Sequence, residues 1–271
     1  MRIGIVGNGY VGKATALLKK EGVEVLIWDI DRKKRNIDSF EDLSKCDLIF
    51  VCVPTPMNED GSCHTEIVEK VVHDLYSLVK IKGEDIIVRS TVPVGTCERL
   101  GVSFMPEFLT EARWREDFIN NKNWIFGIDN SSSNALKILK LAELWNKEVS
   151  ILATREAELI KYTRNTFLAM KVSFFNEIEQ FCSKMGVSYE NVSKGVALDC
   201  RIGSSHTQVP GPDGKRGYGG TCFPKDINSL FYQMSDAGVE SYMIEASKAR
   251  NEQVDRMEQD WKLDKGRAFI E

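Results

Sequence analysis

Three glycines precede a cysteine in Gly217-Tyr218-Gly219-Gly220-Thr221-Cys222-Phe223-Pro224-Lys225-Asp226, a placement that suits a sulfur nucleophile. Glycines leave the backbone bare for close approach of a ligand. Pro224 suits the first turn of a helix, where its missing N–H would be unpaired anyway. Ile227, Leu230, Phe231 and Met234 recur at three-to-four spacing, which predicts a helix from Pro224 to about residue 236. Cys222 then sits at the positive end of that helix beside Lys225, and both effects favour the thiolate, the reactive form. Asp226 can reach the same place and orient a water. An inert cysteine in a glycine loop is the plainer alternative. The loop, the helix start and the neighbouring Lys and Asp together favour the reactive one.

A second glycine pattern, Gly7-Asn8-Gly9-Tyr10-Val11-Gly12, follows a strand-like run and opens a helical one. In that context the first glycine makes the turn, the second admits a pyrophosphate, and the third lets helix pack on strand. Asp29 ends the next strand-like run, where a carboxylate can hold both ribose hydroxyls and would repel a 2′-phosphate. That predicts NAD, although the cations Arg32-Lys33-Lys34-Arg35 pull towards NADP. Lys161 and Asn165, four apart on a predicted helix, share a face. Read alone they are a solvated stripe as readily as a site, and Glu107 and Glu111 are as readily a loop after a strand. His206, alone in a loop, reads as an ordinary hydrogen-bonding residue.

These residues need a frame. Strand-like runs fall at Arg2–Gly7, Glu24–Asp29, Asp47–Pro54, Asp85–Val92, Val102–Met105, Trp124–Asp129 and Val149–Ala153, with helical patterns at 10–21, 65–80 and 132–147. The alternation predicts an α/β fold: a doubly wound, Rossmann-type, mostly parallel sheet over residues 1–153. The link between Val92 and Val102 looks short for a parallel crossover and predicts a reduced turn. From Thr154 to Gly186 apolar residues at 160, 167, 170, 174, 178, 181 and 185 trace one face of a single helix roughly 45 Å long. Thr154 would cap it, with Glu156 and Glu158 in its positive first turn. A helix of that length connects two domains or lines a dimer interface. Residues 154–271 are then this connecting helix plus a small helical domain, interrupted by an irregular loop over 203–223.

The chain has 271 residues, enough for two domains, and a net charge of −4 that offers no general attraction to nucleic acid or an anionic membrane. The seven cysteines are scattered without a C-x-x-C pair and there are three histidines, so no zinc pattern is present. Unpaired thiols, no signal-peptide pattern and no membrane-length apolar run predict a soluble cytoplasmic protein.

In order along the chain, Gly7–Gly12, Val51-Cys52-Val53-Pro54-Thr55-Pro56, Ser90-Thr91-Val92-Pro93-Val94-Gly95-Thr96, Pro106-Glu107-Phe108-Leu109, Lys161 with Asn165, and Gly217–Asp226 resemble the motifs of the UDP-glucose/GDP-mannose dehydrogenase family. Its Cys-Phe-Pro-Lys-Asp form is similar to the branch that acts on UDP-glucose. The family oxidises a sugar CH2OH twice, to a carboxylate, with two NAD+. The resemblance implies that Cys222 forms the thiohemiacetal and thioester. Lys161 and Asn165 would stabilise the oxyanion, while Asp226, Glu107 and the Thr91 hydroxyl would manage the hydrolytic water. It places NAD against Gly7, Gly9, Tyr10, Val11, Gly12 and Asp29, then Pro54, Thr55, Thr91 and Glu111. The sugar nucleotide would meet Glu107, Phe108, Leu109, Lys161 and Asn165, then Gly219 and Lys225. Arg201 would reach it from the other subunit of a homodimer.

By the resemblance, family members continue past the equivalent of Asn251-Glu252-Gln253 into a second α/β domain over the uridine diphosphate; with the sequence ending at Glu271, the nucleotide half of the substrate is expected to be without that lid. The loop Ser204–Gly214 is expected to substitute in part. A different sugar nucleotide, a smaller alcohol, or a non-catalytic NAD-binding remnant remain alternatives. Retention of Cys222, Lys161, Asn165, Glu107 and Asp226 together argues against the remnant.

Overall fold

The computed structural model describes residues 1–78, 81–128 and 132–270. Two compact units emerge: Met1–Thr55 with His64–Lys161, and Pro56–Cys63 with Tyr162–Glu271. The sequence puts the division at residue 153. By packing, the first two turns of the long helix go with the first unit and a short excursion after Thr55 goes with the second.

The first unit is built on strands β1 (Arg2–Val6), β2 (Glu24–Trp28), β3 (Leu48–Val51), β4 (Ile86–Val88), β5 (Ser103–Phe104), β6 (Asn123–Gly127) and β7 (Glu148–Leu152). Their order is β2-β1-β3-β4-β5-β6-β7. Every pairing is parallel except β5 with β6. Residues of β1, β3 and β4 lie almost wholly out of solvent, as expected of strands covered on both faces. Helices α1 (Tyr10–Ala16), α2 (Glu66–Tyr76), α3 (Thr96–Leu100), α4 (Trp114–Asn120) and α5 (Ser132–Leu144) make the connections. The expected helix over 65–80 and strand to Asp129 extend to residues 79, 80 and 129, which lie outside the described residues.

The crossover after β4 corrects the sequence reading. The ladder ends at Val88, four residues before the apolar run does, so residues 89–102 are free to cross and include the five-residue helix α3. Glu158 completes that helix: its buried carboxylate accepts from the backbone N–H groups of Gly95 (2.6 Å) and Cys97 (2.8 Å). The acid expected to serve the first turn of its own helix serves the start of another.

Helix α6 spans Thr154–Met185, 32 residues. Within the second unit its inner side carries Tyr162, Thr166, Ala169, Ser173, Asn176 and Cys182, all buried. Tyr162 and Ala169 pack with Ile227, Leu230 and Ile244, which belong to α8 (Phe223–Asp236) and α9 (Tyr242–Arg250); α7 (Tyr189–Ala197) lies between α6 and these in sequence. The predicted apolar face is not this inner one. Phe167, Phe174 and Phe181, seven residues apart, are 62%, 55% and 61% exposed. Met57 ties the excursion to the chain's last turn by pairing with Phe269, over buried Trp261 and Ala268.

Candidate active site

The glycine turn after β1 has the geometry of a dinucleotide cradle. Gly7 has φ +92°, and a Cβ there would lie 2.7 Å from the Cys52 carbonyl oxygen. A Cβ on Gly12 would lie 2.0 Å from the Gly7 oxygen. Both glycines are thus demanded from inside the protein. A Cβ on Gly9 would meet nothing within 4 Å, so the open space there is available to a ligand. Tyr10 and Val11 form the first turn of α1, which carries no acid to repel a phosphate. Asp29 follows β2; its Oδ2 accepts from Asn8 N (2.7 Å) and its Oδ1 from Asp31 N (2.9 Å). Asn8 Oδ1 is buried without a protein partner.

The neighbouring cations are partly engaged. Arg35 stacks over Trp28 at 4.3 Å and Lys34 lies 3.7 Å from Asp31. Pro54 is exposed and Thr55 buried just past β3, whose order relative to β1 reverses the sheet's direction of growth. Thr91 is buried after β4 and Glu111 exposed at the start of a short turn, Glu111–Arg113.

Glu107, just past β5, pairs with Lys161 of α6 inside the first unit. Lys161 Nζ donates to Glu107 Oε1 at 2.6 Å and to the Glu107 carbonyl at 2.8 Å, and the two side chains are only 4% and 3% exposed. Glu107 Oε2 also accepts from Leu109 N at 2.9 Å, and the Phe108 ring lies 6.0 Å from the ammonium. Burial alone would raise the Glu107 carboxyl. The adjacent ammonium, the bond from it and the Leu109 amide outweigh burial and hold the acid below its ordinary value.

Arg89, which sequence reasoning passed over, is buried nearby. Its Nη1 donates to Thr15 Oγ1 at 2.8 Å, tying β4 to the fingerprint helix α1. A cation at the end of the apolar run Ile86-Ile87-Val88 was the available signal.

In the second unit, Cys222 is the N-cap of α8, which begins at Phe223, one residue before the predicted start. Its Sγ lies 3.7 Å from Thr221 Oγ1. Asp226, 1% exposed, binds two of the predicted residues at once: Oδ1 is 2.5 Å from Lys225 Nζ and Oδ2 2.5 Å from Asn165 Nδ2. Burial would lower the Lys225 ammonium, but the Asp226 carboxylate, and negative charge on the Cys222 and Cys63 sulfurs when they ionise, outweigh it and keep Lys225 charged. By contrast burial pushes Cys46 up to about 12 and Cys52 up to about 11, so those thiols stay protonated at neutral pH.

Lys161 and Asn165 therefore do not pair with each other; each holds a different carboxylate. Arg201 is brought to none of these groups by its ion pair: it forks onto Asp199 with its side chain 85% exposed. Gly219 is constrained from within the protein. A Cβ there would meet the Arg256 guanidinium at 2.3 Å, so the glycine is required by a protein side chain, whereas Gly220 faces open space. His206 has φ +61° and lies 5.5 Å from the Phe223 ring.

Comparison with known proteins follows the same division. Residues 35–147 match the NAD binding domain of the UDP-glucose/GDP-mannose dehydrogenase family and residues 155–253 its central domain. The UDP-glucose 6-dehydrogenase of Pseudomonas aeruginosa is 32% identical over 93% of this chain and 65% of its own length. That of Rhizobium meliloti is 30% identical over 93% and 68%. The UDP-glucose dehydrogenase structure from Pyrobaculum islandicum superposes with a TM-score of 0.83 at 27% identity, covering 93% of this chain and 68% of that one. The chain spans about two thirds of the length of these relatives. It belongs to the UDP-glucose/GDP-mannose dehydrogenase family, of which it carries the NAD binding and central domains.

Proposed function

We propose that the chain oxidises the C6 hydroxyl of UDP-glucose to the carboxylate of UDP-glucuronate, with Cys222 as the covalent nucleophile. The observation that carries this reading is Cys222 at the start of α8, next to the buried Lys225–Asp226–Asn165 cluster. NAD+, held by the Gly7–Gly12 turn and Asp29 with Pro54, Thr55, Thr91 and Glu111, supplies the hydride acceptor for each of the two oxidations.

In the first oxidation the alcohol loses a hydride and its hydroxyl proton, giving the aldehyde. Cys222 Sγ then adds to the carbonyl carbon, and the oxyanion so formed needs a positive or donor partner. Lys161 and the Asn165 amide are the residues assigned that task. Loss of the second hydride turns the thiohemiacetal into a thioester, and water releases the carboxylate and regenerates the thiol. Glu107, ionised beside Lys161, and Asp226 are the carboxylates assigned to the water, with the Thr91 hydroxyl. Phe108, Leu109, Gly219 and Lys225 are assigned to the sugar nucleotide. The exposed phenylalanines of α6 at heptad spacing support a homodimer formed along that helix, the arrangement in which an exposed Arg201 can serve the other subunit's substrate.

The test is NADH formation against a panel of sugar nucleotides. Two NADH per sugar with UDP-glucose are expected. One NADH per sugar removes the thioester route, and none with any sugar nucleotide refutes the reading.

A further inference from the structure

The loop that presents Cys222 has no regular structure, yet its backbone is held by side chains from far along the chain. Asn251 is fully buried; its Oδ1 accepts from Tyr218 N at 2.8 Å and its Nδ2 donates to Tyr218 O at 3.0 Å. That one side chain satisfies both backbone groups of Tyr218, as a neighbouring strand would. Asn176 Oδ1 accepts from Gly217 N at 3.1 Å. Arg256, 4% exposed, covers Gly219 so closely that no side chain fits there. Its guanidinium is fully engaged around the loop: Nε and Nη2 fork onto Asp260 at 2.7 and 2.8 Å, and Nη1 lies 2.7 Å from Asp213. Lys215 joins from the loop side, 2.8 Å from Asp260 and 3.1 Å from Glu258.

From this arrangement we infer that Arg256, with Asn251, is a positioning residue for the reaction: it clamps the 217–221 backbone and so fixes where Cys222 meets its substrate. The inference rests on the reading of Cys222 as nucleophile. The physical case is that glycines at 217 and 220, both with positive φ, leave the loop many conformations to lose. A planar, buried guanidinium that forks onto one carboxylate and reaches a second is the side chain best suited to select one of them. A displacement of about 1 Å at a reacting group can cost on the order of a hundredfold in rate. Asp213 and Asp260 flank Arg256 and leave it no uncompensated positive charge, so the clamp works by shape and hydrogen bonding and not as a cation beside the thiol.

The experiment pairs hydrogen exchange with kinetics in the full chain. In Arg256→Ala, exchange of the 215–221 peptide should accelerate at least tenfold while peptides of α8 and of the first unit keep their rates. The kcat for NADH formation should fall at least tenfold with the NAD+ dissociation constant within twofold of wild type, and millimolar guanidinium ion should restore part of the lost rate. Gly219→Ala provides the second arm: it keeps every charge but drives a methyl into the guanidinium, and the same loss of kcat is expected if Arg256→Ala does not fold. Unchanged exchange over 215–221 overturns the inference, and so does kcat within twofold of wild type in either folded variant. If wild type turns over no sugar nucleotide, the functional reading fails separately, and the exchange rates alone decide whether the clamp exists.

Discussion

Replacing Lys161 by methionine isolates the Glu107 carboxylate, and the structure sets the size and the pH dependence of the result. Lys161 is the ion-pair partner of an acid that is 4% exposed. Removing one partner of such a pair costs about 3–5 kcal/mol, because a buried charge is left behind. The Leu109 amide still donates to Glu107, and Arg89 still acts on it, which places the expected loss at the lower end, about 3 kcal/mol. For a domain of this size that lowers the melting temperature by roughly 6–12 °C.

The sign with pH differs between the two proteins. In wild type Glu107 is held below its ordinary value. Its contribution is therefore complete above about pH 4.3 and is lost as pH falls through the lowered value. In the variant burial dominates and raises the acid, so its contribution is present at low pH and is lost as pH rises. Between pH 7.5 and 5.5 the wild type keeps its stability from this group, while the variant recovers up to about 2.7 kcal/mol by taking a proton. Calorimetric melting at both pH values tests this. A deficit below about 1 kcal/mol at pH 7.5, or one that widens at pH 5.5, refutes the reasoning.

Three further outcomes are expected. Cys222→Ser should bind NAD+ as wild type does but lose sustained turnover, leaving a sugar ester on the serine visible as added mass; turnover at the wild-type rate would end the nucleophile assignment. NAD+ should bind in preference to NADP+, and Asp29→Ala should narrow that preference in a calorimetric titration; a wild-type preference for NADP+ would mean that Arg32 and Lys33 outweigh Asp29. Gly12→Ala, whose methyl would lie 2.0 Å from the Gly7 oxygen, should be strongly destabilised, whereas Gly9→Ala should melt like wild type and bind NAD+ at least tenfold more weakly; equal NAD+ binding would remove Gly9 from the cofactor's path.

All seven strands were visible as apolar runs, and the central β1, β3 and β4 most plainly, because strands covered on both faces need continuous apolarity. The same rule misled at β4. Past Val88 the residues stay buried although the ladder has ended and only Arg89 and Ser90 still reach the Val51 carbonyl, so the run outlasts the ladder and makes the crossover look too short. On α6, periodicity found Phe167, Phe174 and Phe181 but could not tell an inner face from an outward one. The inner face is built instead from small and polar residues such as Ala169, Ser173 and Asn176, whose burial depends on partners elsewhere in the chain. Cys222 at a helix start was legible from local residues alone. The pairing of Lys161 with Glu107, of Asn165 with Asp226, and of Gly219 with Arg256 was not, because each joins positions tens of residues apart with no shared period.

The carboxylate of Glu158 sets an order on assembly. Helix α3 has five residues, far too few to persist alone in water. The acid that satisfies its first amides lies 61 and 63 residues further along the chain. Ribosomal synthesis therefore delivers the segment around Thr91 well before the group that settles it. Glu69 and Tyr76 already hold the far end of α3 through Arg99 and the Leu100 carbonyl, but until the first turns of α6 emerge and dock, the amides of Gly95 and Cys97 lack their carboxylate, and that step carries the loop-closure entropy of a long-range contact. Truncations that end before residue 158 should leave the start of α3 loosely held, even though all seven strands lie upstream and are already made.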